Sequence, residues 1–168
     1  KGKKLFYPKD KSFRPAQDRV RESIFNIVKS YGDFQHILDC FCGTGSFGLE
    51  AYSRGAKRVV CVDREITYAK KNLESLQCNK EECLVIKQSV PTFLKRTKEQ
   101  FDLIFIDPPW KELSLYSDSL KAISDFDILS EQGLIICESH KESNIIYSHF
   151  DEIDTKVYGS TKIALLKK

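Results

Sequence analysis

No stretch of this 168-residue chain approaches eighteen consecutive apolar residues, so nothing in it would cross a bilayer as a helix. The opening Lys1-Gly2-Lys3-Lys4 is basic but does not lead into an apolar segment, which removes the pattern of an export signal. There is no Cys-x-x-Cys pair, Cys40 and Cys42 stand too close together for the common zinc knuckles, and the three histidines are scattered. A structural metal is therefore not expected. Repeats, linkers and low-complexity tracts are missing as well. Six cysteines, at 40, 42, 61, 78, 83 and 137, mostly alternate with aliphatic residues in strand-like runs and read as small core thiols. Free thiols in this number fit a reducing, cytoplasmic setting. The length suits one domain able to bury a sizeable core. Because Lys1 is not a methionine, a few residues are expected before it.

Charge is scarce in one sense and concentrated in another. The net charge is only +3, yet residues 1–31 carry nine Lys/Arg against three acids, giving +6, while the remainder carries eighteen against twenty-one, giving −3. Lys3, Lys4 and Lys9 are interleaved with Phe6 and Tyr7, a composition suited to phosphates and stacked bases, although a solvated basic terminus has the same composition. The next segment begins extended at Pro15 and turns into an amphipathic helix, with Asp18 a candidate N-cap and Val20, Ile24, Ile27 and Val28 on one apolar face. That leaves Arg14, Arg19 and Arg21 for ion pairs or for phosphate.

The first chemical signal is a strand, a glycine turn and a helix in succession. Ile37 to Phe41 is a short apolar run, Cys42-Gly43-Thr44-Gly45-Ser46-Phe47-Gly48 follows, and Leu49 to Arg54 has helical character. Gly43 and Gly45 let the backbone bend and approach a ligand closely, and the helix start offers free N–H groups. A second strand, Arg58 to Val62, ends in Asp63, twenty residues after Gly43 and suitably placed for ribose hydroxyls. Gly43 to Gly48 also satisfies G-x-G-x-x-G, so a nicotinamide-dependent oxidoreductase is one reading. Asp39 opposes it, because an acid at the end of strand one suits an ammonium group and sits poorly beside a pyrophosphate. Asp-x-Phe-x-Gly-x-Gly favours S-adenosylmethionine.

The second signal is Asp107-Pro108-Pro109-Trp110, directly after the apolar run Phe101 to Ile106. A stiffened turn in which Asp caps and Trp fills core accounts for these residues. They also suit a planar nitrogen base, with the ring stacked on Trp110 and its amino hydrogens accepted by Asp107 and the Pro108 carbonyl. That is the chemistry of methylating an exocyclic amine.

Between and beyond these motifs the alternation continues. Helices are predicted over 66–76, 91–98, 113–126 and 144–149, and strands over 83–87, 101–106 and 133–138. Residues 153–158 and 162–166 form a closing hairpin across Gly159-Ser160. Alternating helices and strands imply a parallel sheet covered on both faces, with the hairpin adding an antiparallel member at one edge. Asp39, Asp63 and Asp107 all then fall at carboxyl ends of strands, where such sheets bind ligands.

These residues resemble the RsmD-like 16S ribosomal RNA guanine-N2 methyltransferases of bacteria. The likeness runs nearly end to end, through Gly2-Lys3-Lys4-Leu5, Arg14-Pro15 with Asp18-Arg19-Val20-Arg21-Glu22, Leu38-Asp39-x-Phe41-x-Gly43-x-Gly45, Phe101 to Trp110, and Tyr158-Gly159-x-Thr161. It implies a class I Rossmann-like fold with a mostly parallel seven-stranded sheet, a single domain with residues 1–31 as a basic extension and helix, and a monomer. It also implies S-adenosylmethionine as donor, with no metal, and a guanine of small-subunit ribosomal RNA as acceptor, within a partly assembled subunit. By matching position, Asp39, Phe41, Gly43, Gly45, Asp63 and Arg64 would bind the donor, with Gln88, Ser89 and Asp107 completing its site. Asp107, Pro108, Pro109 and Trp110 would hold the flipped guanine, and Lys3, Lys4, Arg14, Arg19 and Arg21 the RNA backbone. Two departures stand out: Gln88-Ser89 replaces an acid that often contacts the donor's adenine, and Trp110 replaces the usual Tyr or Phe. An amino-methyltransferase for another base or for a protein glutamine, and a non-catalytic RNA-binding assembly factor, are the other readings.

Overall fold

The structure, a computed structural model, describes residues 5–8 and 15–168, with residues 15–18 followed through their backbone. Five helices, α1 (Pro15–Lys29), α2 (Ser46–Ser53), α3 (Thr67–Leu76), α4 (Val90–Leu94) and α5 (Ser114–Asp125), alternate with β1 (His36–Cys40), β2 (Arg58–Asp63), β3 (Cys83–Lys87), β4 (Phe101–Ile106) and β5 (Leu129–His140). The hairpin β6 (Asp151–Tyr158) and β7 (Thr161–Lys167) closes the chain. The sheet order is β3-β2-β1-β4-β5-β7-β6, parallel from β3 to β5, with β7 antiparallel to both of its neighbours. The antiparallel member thus lies one place in from the edge. The chain winds outward from β1 through β2 to β3, then returns to place β4 on the other side of β1. The carboxyl ends of β1 and β4 therefore form the crevice in which open sheets of this kind bind ligands.

Strand residues alternate between two apolar layers, as the two-residue period requires. Leu38, Val60, Ile104 and Ile135 pack toward α4 and α5, against Phe93, Leu94, Leu120 and Ile123. Ile37, Val59, Leu103 and Ile136 pack toward α1, α2 and α3, against Ile24, Phe25, Phe47 and Ala69. On α1, Ile24 and Val28 are buried with Phe25, while Val20 and Ile27 lie at the edge of that layer.

Four local expectations are corrected. The helix α1 begins at Pro15, so Asp18 lies inside its first turn and does not cap it; a proline is well tolerated where the N–H would be unpaired anyway. β1 stops at Cys40, and Phe41 turns into the left-handed region with φ 61°. The helix expected over 91–98 is the single turn Val90–Leu94. Residues 144–149 are not helical. Ile145 and Tyr147 pack against the core while Ile146 is 73% exposed, a two-residue alternation, and six residues carrying two adjacent β-branched side chains do not sustain a helix nucleus.

Candidate active site

The carboxyl ends of β1 and β4 open into a cleft of about 840 Å³. One wall is the turn that joins β1 to α2. Phe41, Gly43 and Gly45 all have positive φ, at 61°, 54° and 73°. For Phe41 this is a conformation that costs about 1–3 kcal/mol and persists only where the surroundings impose it. The turn is held from both sides: Cys42 N donates to Val62 O at 3.2 Å, and Gly45 N to Cys42 O at 2.7 Å. Asp63 takes part too, one carboxylate oxygen accepting from Gly43 N at 2.9 Å and the other from Glu65 N at 3.0 Å. Asp63, Arg64 and Glu65 line the cleft beside Phe41, Gly43 and Thr44.

Asp39 lies elsewhere than its motif position suggested. It is 1% exposed, sits beneath the turn and is not part of the cleft lining. One of its oxygens accepts from Gly48 N at 2.9 Å, and the Cys61 thiol approaches the same oxygen at 3.9 Å. Burial pushes its carboxyl up to about 7; the Gly48 hydrogen bond pulls the other way, and the charge of Asp63 adds to the rise. The close fit depends on Gly48. A Cβ there would stand 2.6 Å from Cys61 Sγ and 2.9 Å from Val59 Cγ1.

The floor is aromatic. Phe47 stacks on Phe105 with centroids 4.0 Å apart and an interplanar angle of 6°, and on Phe25 at 4.7 Å. Phe47 and Phe105 both face the cleft. The segment 5–8 closes one side, tied down by the buried Asn72 of α3. Its Oδ1 accepts from Phe6 N at 2.6 Å, and its Nδ2 donates to Phe6 O at 3.1 Å and Thr44 O at 3.0 Å. Lys71 Nζ lies 4.0 Å from the Phe6 ring centroid. Tyr7 and Pro8 are thereby brought to the cleft rim. Asn72 was missed by sequence reasoning, since its partners lie up to 66 residues away.

The other wall is Asp107-Pro108-Pro109-Trp110, all four lining the cleft. Pro108 is buried and Trp110 is 36% exposed, its ring 5.2 Å from that of His140. Behind them Tyr116 Oη donates to Glu138 O at 2.6 Å. Glu138 also lines the cleft, and burial pushes its carboxyl up to about 7. Its position, at the carboxyl end of a parallel strand, follows the rule that singled out Asp39, Asp63 and Asp107.

The remaining sequence candidates divide. Arg21 lines the cleft, whereas Arg19 is exposed outside it. Gln88 and Ser89 are half-buried and outside the lining, where Val90 and Pro91 take their place. Gln88 N donates to Asp63 O at 3.0 Å, and Ser89 Oγ bonds Thr92 Oγ1 at 2.7 Å. Gly45 is packed under the turn, its Cβ position 3.3 Å from Ala69 Cβ. Lys3, Lys4 and Arg14 lie outside the described residues. Among the described residues no His, Cys, Asp and Glu group is arranged to hold a metal ion.

The charge of the lining bears on what fits. Asp63, Glu65, Asp107, Glu112 and Glu138 face Arg21 and Arg64 there, a balance that suits a cationic ligand and repels a pyrophosphate. Comparison with known proteins bears on the family and the fold. Residues 1–167 match the family model described as conserved hypothetical protein 95. The chain is 37% identical over 151 residues to the ribosomal RNA small subunit methyltransferase D of Haemophilus influenzae, covering 87% of this chain and 78% of that one. It is 35% identical to the putative rRNA methyltransferase YlbH of Bacillus subtilis, over 100% of this chain and 95% of that one. Among solved structures, the putative methyltransferase yhhF from Escherichia coli superposes with a TM-score of 0.83 at 30% identity, covering 99% and 92% of the two chains. The fold extends to the N-methyltransferase NodS from Bradyrhizobium japonicum in complex with S-adenosyl-L-homocysteine, with a TM-score of 0.72 at 14% identity over 94% and 89% of the chains.

Proposed function

Since the chain belongs to the RsmD family of the conserved hypothetical protein 95 model, we propose that it is a ribosomal RNA methyltransferase that uses S-adenosylmethionine to methylate the exocyclic N2 amine of a guanine in the small-subunit RNA. One observation carries this reading: the glycine turn after β1 and the Asp107-to-Trp110 turn after β4 open into one cleft on neighbouring strands, paired through Cys40 and Ile106. A methyl donor on one wall and a planar amine on the other then meet without either leaving its site.

When bound, the donor supplies a methyl group activated by a sulfonium. The chain's residues do the rest. The Gly43–Gly45 backbone receives the amino-acid end, with the charge of Asp39 one layer below it. Asp63, with Arg64, meets the ribose, and Val90 and Pro91 flank the adenine where Gln88-Ser89 leaves no acid. The guanine, out of its stack, lies against Trp110. Asp107 and the Pro108 carbonyl accept its amino hydrogens and turn the nitrogen lone pair toward the methyl carbon. Asp107, or water beside it, would take the proton that the amine sheds on methylation. Arg19 and Arg21, with Lys3, Lys4 and Arg14, hold the RNA backbone.

The test is transfer from radiolabelled S-adenosylmethionine to unmodified small-subunit ribosomal RNA, free or in a partly assembled subunit, followed by nucleoside analysis. Label in N2-methylguanosine, reduced at least about 10²-fold by Asp107→Ala, is the expected result. Label in another nucleoside keeps the enzyme class and removes the guanine assignment. Donor binding without transfer to either RNA form removes the reading.

A further inference from the structure

β5 carries a carboxylate to which the proposed chemistry gives no task. It runs parallel to β4 with Ile106 paired to Cys137, so the next residues, Asp107 and Glu138, leave neighbouring strands at one level and on one face of the sheet. Adjacent strands stand about 4.8 Å apart. Beyond that level β4 ends, whereas β5 continues to His140, still paired to Thr161 of β7. Glu138 is thus mounted on rigid backbone, with its carbonyl pinned by Tyr116 Oη at 2.6 Å. It lines the cleft with Asp107 and Trp110, and among the described residues no side chain or backbone N–H bonds its carboxyl group. This half-buried acid, which burial pushes up to about 7, is thus open on its cleft side to hydrogen-bond donors carried by a ligand.

A guanine offers such donors side by side. Its Watson–Crick edge presents N1–H next to the N2 amine, and Asp107 already faces the amine in the reading above. The second carboxylate, one strand away, faces the neighbouring proton. Adenine carries a lone pair at N1, which a carboxylate repels. We propose, resting on the guanine-N2 reading, that Glu138 accepts the N1–H of the acceptor base and so selects guanine over bases that lack that proton.

2-Aminopurine tests this: it keeps the exocyclic amine of guanine but lacks O6 and carries a lone pair at N1, so a change of preference on altering Glu138 isolates the part that Glu138 reads. Small-subunit RNA is ligated from a synthetic segment bearing either base at the mapped acceptor position and given, at about pH 8.5 where the carboxyl is ionised, to the wild type and to Glu138→Leu, which can neither accept nor donate at N1. The wild type is expected to prefer guanine by at least about 10²-fold in kcat/KM, as sites built to bond a donor do. Glu138→Leu is expected to lower guanine transfer by about 10²-fold and shrink the preference below about tenfold, with donor affinity by calorimetry within about twofold. An unchanged preference, undiminished guanine transfer, or a loss of donor binding in Glu138→Leu would each overturn the assignment. If the wild type makes no N2-methylguanosine at all, the underlying reading falls first, a result distinct from an active enzyme whose preference does not move.

Discussion

Asp39 is expected to couple donor binding in the cleft to pH. Its carboxyl, ordinarily near 3.8, is pushed up to about 7 by burial, so the folded chain disfavours the charged form. The stability it contributes is therefore full below about pH 4 and is lost as pH rises through about 7. A cation in the cleft reverses that preference, because it favours the ionised acid. Donor affinity, measured by calorimetry between pH 6 and 8, is thus expected to tighten with rising pH, by at most about tenfold per unit below 7. Asp39→Asn is expected to bind the donor more weakly and to flatten the profile, which separates Asp39 from Glu138. A flat wild-type profile, or the same slope in Asp39→Asn, would remove the role given to its charge. That an acid stands at the end of β1 was legible in the spacing of Asp39, Phe41, Gly43 and Gly45. Its depth was not, since burial comes from α2 settling directly over it, a tertiary fact. Glu138 was within reach of the same strand-end rule, whereas Asn72 carried no sequence signal, because its partners are backbone groups of Phe6 and Thr44.

The element most sensitive to a small change is α2. Gly48 faces β1 and β2 so closely that a methyl group would meet Cys61 Sγ at 2.6 Å and Val59 Cγ1 at 2.9 Å, both buried. Gly48→Ala keeps helix propensity, which alone would favour it. Overpacking wins: α2 must lift from the sheet, at about 1–3 kcal/mol. Urea unfolding is expected to show that loss, together with weaker donor binding, because lifting α2 stretches the Gly48–Asp39 bond and shifts the glycine turn. Gly55→Ala is a poor control, as its φ of 107° brings strain of its own; Ser53→Ala, exposed in the last turn of α2, serves better. Equal stability of Gly48→Ala and Ser53→Ala would contradict the packing account. At this scale β2, β3, β4 and the hairpin were legible, since apolar runs bounded by turn residues mark buried strands. The stretch 144–149 was misread because a run of six residues is too short for periodicity to separate helix from extended chain, and only contact with the core distinguishes them.

Across the whole molecule, charge is divided unevenly. The cleft lining is rich in acids, which suits a cationic donor, yet the proposed acceptor is a polyanion. The two requirements are compatible only if RNA phosphates stay off the cleft, with the reacting base alone entering it. Residues 1–31 carry the +6 that would hold those phosphates, against −3 for the rest. Within them, Arg21 on α1 lines the cleft and the segment 5–8 is tied to its rim through Asn72. RNA affinity is accordingly expected to fall steeply with salt, with a log–log slope that counts the phosphates neutralised, about 0.7–0.9 per contact. Lys3→Ala, Lys4→Ala and Arg14→Ala combined should reduce the slope by about 2–3 and weaken binding at low salt, leaving donor affinity as it was. Trp110→Ala should act in the opposite manner, weakening transfer while leaving the slope alone, because stacking displaces no counterions. Filter binding across a salt series checks both. If the triple substitution leaves the slope intact, the basic residues of the first segment do not hold RNA, and the polyanion must be met by another face of the molecule.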